Sequence, residues 1–189
     1  MTTRTGWTIC GSLAAASAVG GYLGLVSGAL PADLGVGRRT RQLGPLEIVV
    51  AAPREVVFDV AEEPYLPRTT RAMQAKVQVL DRGSDMVLAA HRTPLRGPLV
   101  ATTTETVRFT RPTRIDFRLV RGPVPHVVES FELMEWDRGT RLVYTGELGT
   151  DLGWLGERWA DVVARSWERV VADSLDAIKQ EAERRAGRG

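Results

Sequence analysis

The longest regular pattern of hydrophobic positions lies in the last part of the chain, at residues 152–185. Apolar or small side chains recur there at steps of three and four, and charged side chains fill many of the positions between them. The stripe consists of Leu155, Trp159, Val162, Val163, Ser166, Val170, Ser174, Ala177 and Ile178. The spacing predicts one amphipathic helix of about 45 to 50 Å, at roughly 1.5 Å per residue, which is long enough to lie across a whole sheet.

Most of the chain before this helix has the alternation typical of β-strands. A first strand is predicted at residues 46–52, and Pro53 suits the first turn of a short helix after it. Pro64 and Pro67 break that helix and leave room for a second short one. Six further strands are predicted, at residues 73–80, 86–93, 99–110, 114–120, 126–135 and 141–148. The turns between them are brief, so the strands must pair antiparallel. We therefore expect an α+β fold, a curved seven-stranded antiparallel sheet against one long C-terminal helix.

Alternation within the strands places two carboxylates among inward-facing side chains. Glu129 shares its side of the sixth strand with Phe131, and Glu105 occupies an inward position on the fourth. A carboxylate left unpaired inside a protein raises its pKa or finds a cation. Arg92 is the predicted partner, and His91 replaces it if that strand has the opposite register. The competing interpretation is a bulge that turns these groups to solvent.

The N-terminal part of the chain has a different character. Residues 7–30 carry no formal charge and are long enough, at about 1.5 Å each, to cross a hydrocarbon layer of roughly 30 Å. They predict a membrane anchor at residues 1–31, followed by a linker at residues 32–44. A cleaved secretory signal peptide is the alternative, since residues 27–29 are small. Three arginines follow the segment and one precedes it, which favours a soluble domain on the cytoplasmic side.

Glycines repeat at every fourth position within this segment, at Gly20, Gly24 and Gly28. Such a stripe lets two transmembrane helices approach closely, so we expect it to pack against a helix of the same or another membrane protein. A general abundance of small residues in the segment is the alternative explanation.

Charge, cysteine content and motifs exclude several functional classes. Residues 1–41 hold four Arg against one Asp, whereas residues 42–189 hold 21 Lys and Arg against 22 Asp and Glu. The folded part is therefore nearly neutral, which argues against a nucleic-acid partner. The single cysteine, Cys10, excludes an internal disulfide. Motifs for nucleotide binding, serine hydrolysis and zinc peptidases are absent from the sequence, and no metal and no cofactor are predicted.

The order of the predicted elements resembles the START-like superfamily, also called SRPBCC, over residues 44–185. The resemblance is carried by LEIVVAAPREVVFDVAEEPYLPRTT at the front, ESFELMEWDRGTRLVYTGEL through the last hairpin, and the Trp-rich closing helix. The superfamily includes polyketide cyclases and lipid-transfer domains, and only some members do chemistry. The resemblance implies a helix-grip fold, with an elongated apolar cavity between the sheet and the final helix for a lipid, sterol, quinone or polyketide.

Two sets of side chains are candidates for contact with such a ligand. The first set is expected to line the cavity: Glu129, Glu105, Arg92, Tyr144, Trp159, Phe117 and Phe131. For each aromatic residue in it, ordinary core packing is the alternative. Those expected at a mobile entrance, where apolar side chains adjoin glycine or proline, are Leu95, Leu99, Trp154 and Leu155.

These expectations combine into a START-like ligand-binding domain at residues 45–189 attached to a single-pass anchor in the cell membrane. The leading hypothesis is binding or transfer of a hydrophobic small molecule or lipid, without covalent chemistry. One alternative is a cyclase/dehydratase-type enzyme, with Glu129 or Glu105 as acid or base and Arg92 polarising a carbonyl. Another is an accessory subunit of a membrane protein complex, docked through the glycine-striped segment.

Overall fold

The structure, a computed structural model, describes residues 33–94 and 100–188, together with Gly20, Gly21 and Gly24. The three glycines are helical. Most of the predicted anchor lies outside the described residues, as do Gly28, Leu95 and Leu99. Within the described part of the chain, no helix combines the length and the apolar character that crossing a membrane requires.

Seven antiparallel strands form one sheet, in the order β1-β7-β6-β5-β4-β3-β2. The strands are β1 (Arg39–Val50), β2 (Val77–Arg82), β3 (Met86–Pro94), β4 (Val100–Thr110), β5 (Arg114–Arg121), β6 (His126–Trp136) and β7 (Gly139–Thr150). Strands β2 to β7 pair with their neighbours in sequence, and β1 closes the other edge by pairing with β7. The helices are α1 (Arg54–Glu62), α2 (Arg71–Lys76) and α3 (Trp154–Ala186), and a short 3₁₀ turn, Glu63–Tyr65, follows α1. The predicted α+β sheet and its long C-terminal helix are confirmed.

Two strand starts differ from the prediction by four or more residues. Strand β1 begins at Arg39, inside the predicted linker, because residues 39–43 pair with the last five residues of β7. The arginines and the glutamine of this segment carry little strand propensity, so the pairing comes from tertiary context. Residues 73–76 belong to α2 and not to a strand, and the Thr70 hydroxyl accepts a hydrogen bond from the Met73 amide at the start of that helix.

Helix α3 packs mainly on β1, β7 and α1. Its buried residues are Gly156, Ala160, Val163, Ala164, Val171, Leu175 and Ala182. The predicted stripe was therefore wrong in part, since Leu155, Val162 and Val170 are exposed. At the start of the helix only glycine fits against the preceding bend, because a Cβ on Gly156 would lie 1.8 Å from the carbonyl oxygen of Asp151.

The position of α3 leaves the two halves of the sheet unequally covered. The inward face of β7, at Leu142, Tyr144 and Leu148, is fully buried. On the other half of the sheet, Val87, Val107 and Ile115 are buried, but other apolar side chains are only partly buried. The partly buried ones include Val77, Val79, Phe109 and Leu119. The less completely covered part of the sheet therefore lies beside α3, over β2 to β5.

Candidate functional site

Two carboxylates lie inside the domain on its inward face. Glu105 on β4 is 4% exposed and Glu129 on β6 is 8% exposed, as the strand alternation predicted for both positions. Strand β5 separates them, with Leu119 opposite Glu105 and Phe117 opposite Glu129. A polar side chain at such a position persists only if neighbouring groups satisfy it.

Glu129 is held by two donors, one from the sheet and one from α3. The Tyr144 hydroxyl and the Trp167 indole Nε1 each donate a hydrogen bond of 2.7 Å to Oε2 of Glu129. Gly146 lies directly opposite Glu129 in the pairing of β6 with β7. A Cβ at Gly146 would lie 2.9 Å from the Cβ of Glu129 and 3.2 Å from the Tyr144 hydroxyl, so the glycine provides the room for this contact.

Glu105 belongs to a second group, a chain of polar side chains that leads to the turn after α1. The Thr103 hydroxyl donates to Oε1 of Glu105 at 2.6 Å, and Nδ1 of His91 lies 2.9 Å from Oε2. Nε2 of the same imidazole lies 3.1 Å from the hydroxyl of Tyr65, which is itself buried. If His91 is protonated, both ring nitrogens donate; if it is neutral, Nδ1 donates to Glu105 and Tyr65 donates to Nε2.

The two carboxyls have opposite electrostatic environments. Burial, and then the charge of Glu105, raise the pKa of Glu129 to about 7, although Tyr144 and Trp167 act in the other direction. Burial also disfavours the charged form of Glu105, but the charge and hydrogen bond of His91 outweigh it and lower the pKa of that carboxyl. The pKa of His91 is raised in turn, because Glu105 more than offsets the effect of burial on the imidazolium. The raised pKa of His91 and the lowered pKa of Glu105 both favour an imidazolium–carboxylate pair, and the second carboxyl, Glu129, has a pKa of about 7.

The predicted lining residues divide between the interior and the surface. Phe117 and Phe131 pack edge to face with ring centroids 5.3 Å apart, and Phe131 packs on Tyr144 in the same manner. Trp159 is half-buried and its indole donates to the carbonyl of Pro123 at 2.8 Å. Arg92 does not join them, because its strand has the opposite register: Arg92 is exposed and donates to the side chain of Gln78 at 2.6 Å.

The side chain that meets Glu105 is His91, the alternative that the reversed register predicted. Three further members of the two groups, Tyr65, Thr103 and Trp167, were not predicted. Trp167 follows Trp159 and Val163 at steps of four, which is a helical spacing that the sequence did contain. Of the predicted entrance residues, Trp154 and Leu155 lie exposed in the first turn of α3.

Residues 46–183 match the protein family described as "Polyketide cyclase / dehydrase and lipid transport". The chain belongs to this family. Among curated protein sequences, none matches it.

Solved structures related to this polyketide cyclase/dehydrase-family domain share its fold. TTHA0849 from Thermus thermophilus has a TM-score of 0.59 at 17% identity, over 76% of this chain and 97% of that one. The Zhui aromatase/cyclase from a Streptomyces species has a TM-score of 0.59 at 19% identity, over 78% and 95%. Norcoclaurine synthase from Thalictrum flavum, solved in complex with dopamine and hydroxybenzaldehyde, has a TM-score of 0.52 at 13% identity, over 76% and 87%. At such identities the likeness establishes the helix-grip fold.

The chemistry open to this family member follows from its buried groups. A carboxyl with a pKa near 7 can both give and take a proton at neutral pH, and it can donate or accept a hydrogen bond. Within the described ranges, no three His, Cys, Asp or Glu side chains lie close enough together to hold a metal ion. A depression of about 420 Å³ lies elsewhere, open to solvent and lined by side chains that include Arg54, Arg114 and Glu132. It includes neither buried carboxylate.

Proposed function

We propose that the domain binds a hydrophobic small molecule or lipid that carries a hydroxyl or carbonyl group, in the space between α3 and the inward face of the sheet. The observation that carries the proposal is Glu129, a buried carboxyl held under α3 by Tyr144 and Trp167. Binding sites of this kind combine apolar walls with a few convergent polar groups that fix the orientation of the ligand.

The position of the two donors determines which polar group would fit. Both donate to Oε2 of Glu129, so the ligand would meet Oε1. A protonated Oε1 donates to a carbonyl oxygen, and an ionised one accepts from a hydroxyl. Phe117 and Phe131 supply apolar wall beside the carboxyl, and the partly buried Leu119 extends it towards Glu105.

Binding can be tested with an apolar fluorophore and with whatever the protein retains on purification. We expect saturable binding of 1-aminoanthracene, displaced by the compound that organic extraction and mass spectrometry recover from the purified protein. Glu129→Gln should weaken binding of a compound that donates a hydroxyl hydrogen bond by roughly tenfold, since such a bond to a carboxylate is worth about 1 to 2 kcal/mol. A compound that only accepts, through a carbonyl, should bind almost as before, because the glutamine amide can still donate. Glu132→Gln, on the outward face of the same strand, is the matched control. If no compound is recovered and the fluorophore does not saturate, the proposal fails.

A cyclase/dehydratase-type enzyme is the second candidate, and the pKa of Glu129 near 7 is the observation that favours it. A carboxyl of that pKa can remove a proton next to a carbonyl and return it to a departing hydroxyl, so that water leaves. A protonated His91 would act on the developing negative charge only through space, because both of its ring nitrogens already contact Glu105 and Tyr65. A poly-β-ketone or β-hydroxyketone substrate tests it: turnover should vanish in Glu129→Gln while the fluorophore still binds. A domain that binds such compounds without converting them is a carrier.

We further propose that residues 1–31 attach the domain to the cell membrane, with the domain on the cytoplasmic side. The support is the run of 24 uncharged residues at positions 7–30 and the arginines that follow it. The full chain should then stay with membranes through extraction at alkaline pH.

Docking into a membrane protein complex through Gly20, Gly24 and Gly28 would show as loss of a copurifying subunit in Gly24→Leu.

A further inference from the structure

The segment before β1 is fastened to the start of α3. Asp151 is buried, and its carboxylate accepts hydrogen bonds from the backbone amides of Leu34 and Gly35, at 2.6 and 2.8 Å, and from Nε of Arg38 at 2.8 Å. The Arg38 guanidinium, followed by these amides, lowers the pKa of Asp151 to about 2. We call residues 33–38 together with residues 151–153 the clasp.

Backbone hydrogen bonds complete the clasp. The amide of Leu152 donates to the carbonyl of Val36 at 2.8 Å, and the amide of Gly153 donates to the carbonyl of Gly37 at 3.0 Å. The two backbones lie so close that a Cβ on Gly37 would be 3.2 Å from the nitrogen of Gly153. Residues that are far apart in sequence are thereby held side by side at one end of the domain.

The clasp brings together apolar side chains that face solvent. Leu34, Val36, Leu152, Trp154 and Leu155 are each between 53% and 65% exposed. We call these five side chains the apolar face. Single exposed apolar residues are ordinary, but five at one end of a domain are typical of a surface that contacts another apolar phase.

The sequence next to the apolar face indicates which apolar phase this surface contacts. The uncharged run at residues 7–30 ends four residues before Leu34. Four extended residues reach at most about 14 Å, so Leu34, the first residue of the apolar face, lies within that distance of the end of the run. Trp154 also has the guanidinium of Arg158 over its ring at 5.4 Å. Trp and Arg side chains are typical of the boundary between lipid headgroups and acyl chains.

The carboxylates around the apolar face are neutralised by arginines. Arg38 pairs with Asp33 as well as with Asp151, Arg39 pairs with Glu157, and Arg41 pairs with Asp161. Unpaired carboxylates would be repelled by an anionic membrane surface. With these pairs in place, the approach of the apolar face to a lipid surface meets little electrostatic opposition.

We propose that the apolar face lies against the lipid bilayer and that the clasp holds the domain there in one orientation. The inference rests on the proposed membrane attachment and adds to it which end of the domain faces the lipid. The first turn of α3 lies at the bilayer surface. The hairpin between β6 and β7, at the opposite end of β7, points away from it.

The test uses the full chain in vesicles of phosphatidylcholine and phosphatidylglycerol, with or without bromine on the acyl chains near the headgroups. Bromine quenches tryptophan fluorescence only at contact range, so the quenched part of the emission reports the tryptophans that lie in lipid. We expect Trp154→Phe to lose the Trp154 contribution to this quenching. Trp136→Phe should leave the quenching unchanged, and it is a close match: Trp136 is 51% exposed, has Arg141 over its ring at 5.4 Å, and lies at the opposite end of β7.

The outcomes separate this inference from the attachment on which it rests. If the chain resists alkaline extraction but Trp154→Phe leaves the quenching unchanged, the attachment stands and the apolar face is not at the lipid. Cross-linking between the apolar faces of two chains, without quenching, would also overturn the inference and would assign the face to a second copy. If the chain is extracted from the vesicles, both proposals fail. Substitution of an exposed tryptophan by phenylalanine leaves the fold intact, which circular dichroism checks.

Discussion

His91→Ala is expected to destabilise the domain by about 3 kcal/mol at pH 7, because it leaves Glu105 buried without its cation. Protonation of the carboxyl limits this loss. Glu105 then behaves as a buried acid whose ordinary pKa is 4.5, and holding its proton at pH 7 costs about 1.36 kcal/mol for each pH unit above that value. The loss of stability should therefore be smaller at pH 5 than at pH 7.

The other histidine of the chain is the matched control. His126 also contacts a glutamate on the neighbouring strand, with Nε2 at 3.2 Å from Oε1 of Glu147, but both side chains are partly exposed. Exposed ion pairs contribute about 0 to 1 kcal/mol, so His126→Ala should change the free energy of unfolding by no more than that. Denaturant titrations of both variants at pH 5 and pH 7 make the comparison.

A double-mutant cycle assigns the effect to the pair. Glu105→Gln keeps an acceptor for Thr103 and removes the charge, so His91→Ala should be better tolerated in that background. If His91→Ala costs the same with Glu105 and with Gln at position 105, the pair does not hold the carboxyl. The loss would then be one of packing against Tyr65.

Much of the fold could be predicted from the sequence because it depends on local patterns. Strands β3 to β7 follow a period-two alternation bounded by Gly, Pro and Asp, and the structure places each of them within two residues of its predicted ends. The inward positions of Glu105 and Glu129 followed from the same alternation, since apolar neighbours two residues away fix the face.

The features that could not be predicted from the sequence depend on strand register and on tertiary packing. Arg92 and His91 are adjacent, and only the pairing of β3 with β4 decides which of them points inward. The contact face of α3 was misplaced because Gly156, Ala160 and Ala164, which are buried, carry little hydrophobic signal. Tyr65 reaches His91 from a short 3₁₀ turn that contains Pro64, and no periodicity in the sequence predicts this contact.

Glu129→Gln is expected to make the domain more stable than the wild type at pH 8, by on the order of 3 kcal/mol, and to leave it almost unchanged at pH 5. In the folded state the pKa of Glu129 is raised to about 7, whereas the unfolded carboxyl titrates near 4.5. Between these values the folded protein holds the proton and the unfolded chain has lost it, so rising pH favours unfolding. Glutamine resembles the protonated acid, offers Tyr144 and Trp167 an acceptor, and does not ionise.

The measurement is the difference in free energy of unfolding between variant and wild type from pH 5 to pH 8. Glu132→Gln, on the outward face of β6, pairs with Arg114 in solvent and should show no comparable rise with pH. The pH dependence of this difference bears on function as well as on stability. If the difference rises between pH 5 and pH 7 and levels off above pH 7, a ligand that donates a hydroxyl hydrogen bond to the ionised carboxyl would recover part of the lost stability in the wild type alone. A difference that does not change with pH would mean that Glu129 is ionised in the folded protein over this whole pH range. The carboxyl would then lack the proton that both a carbonyl-binding site and a dehydratase need at neutral pH.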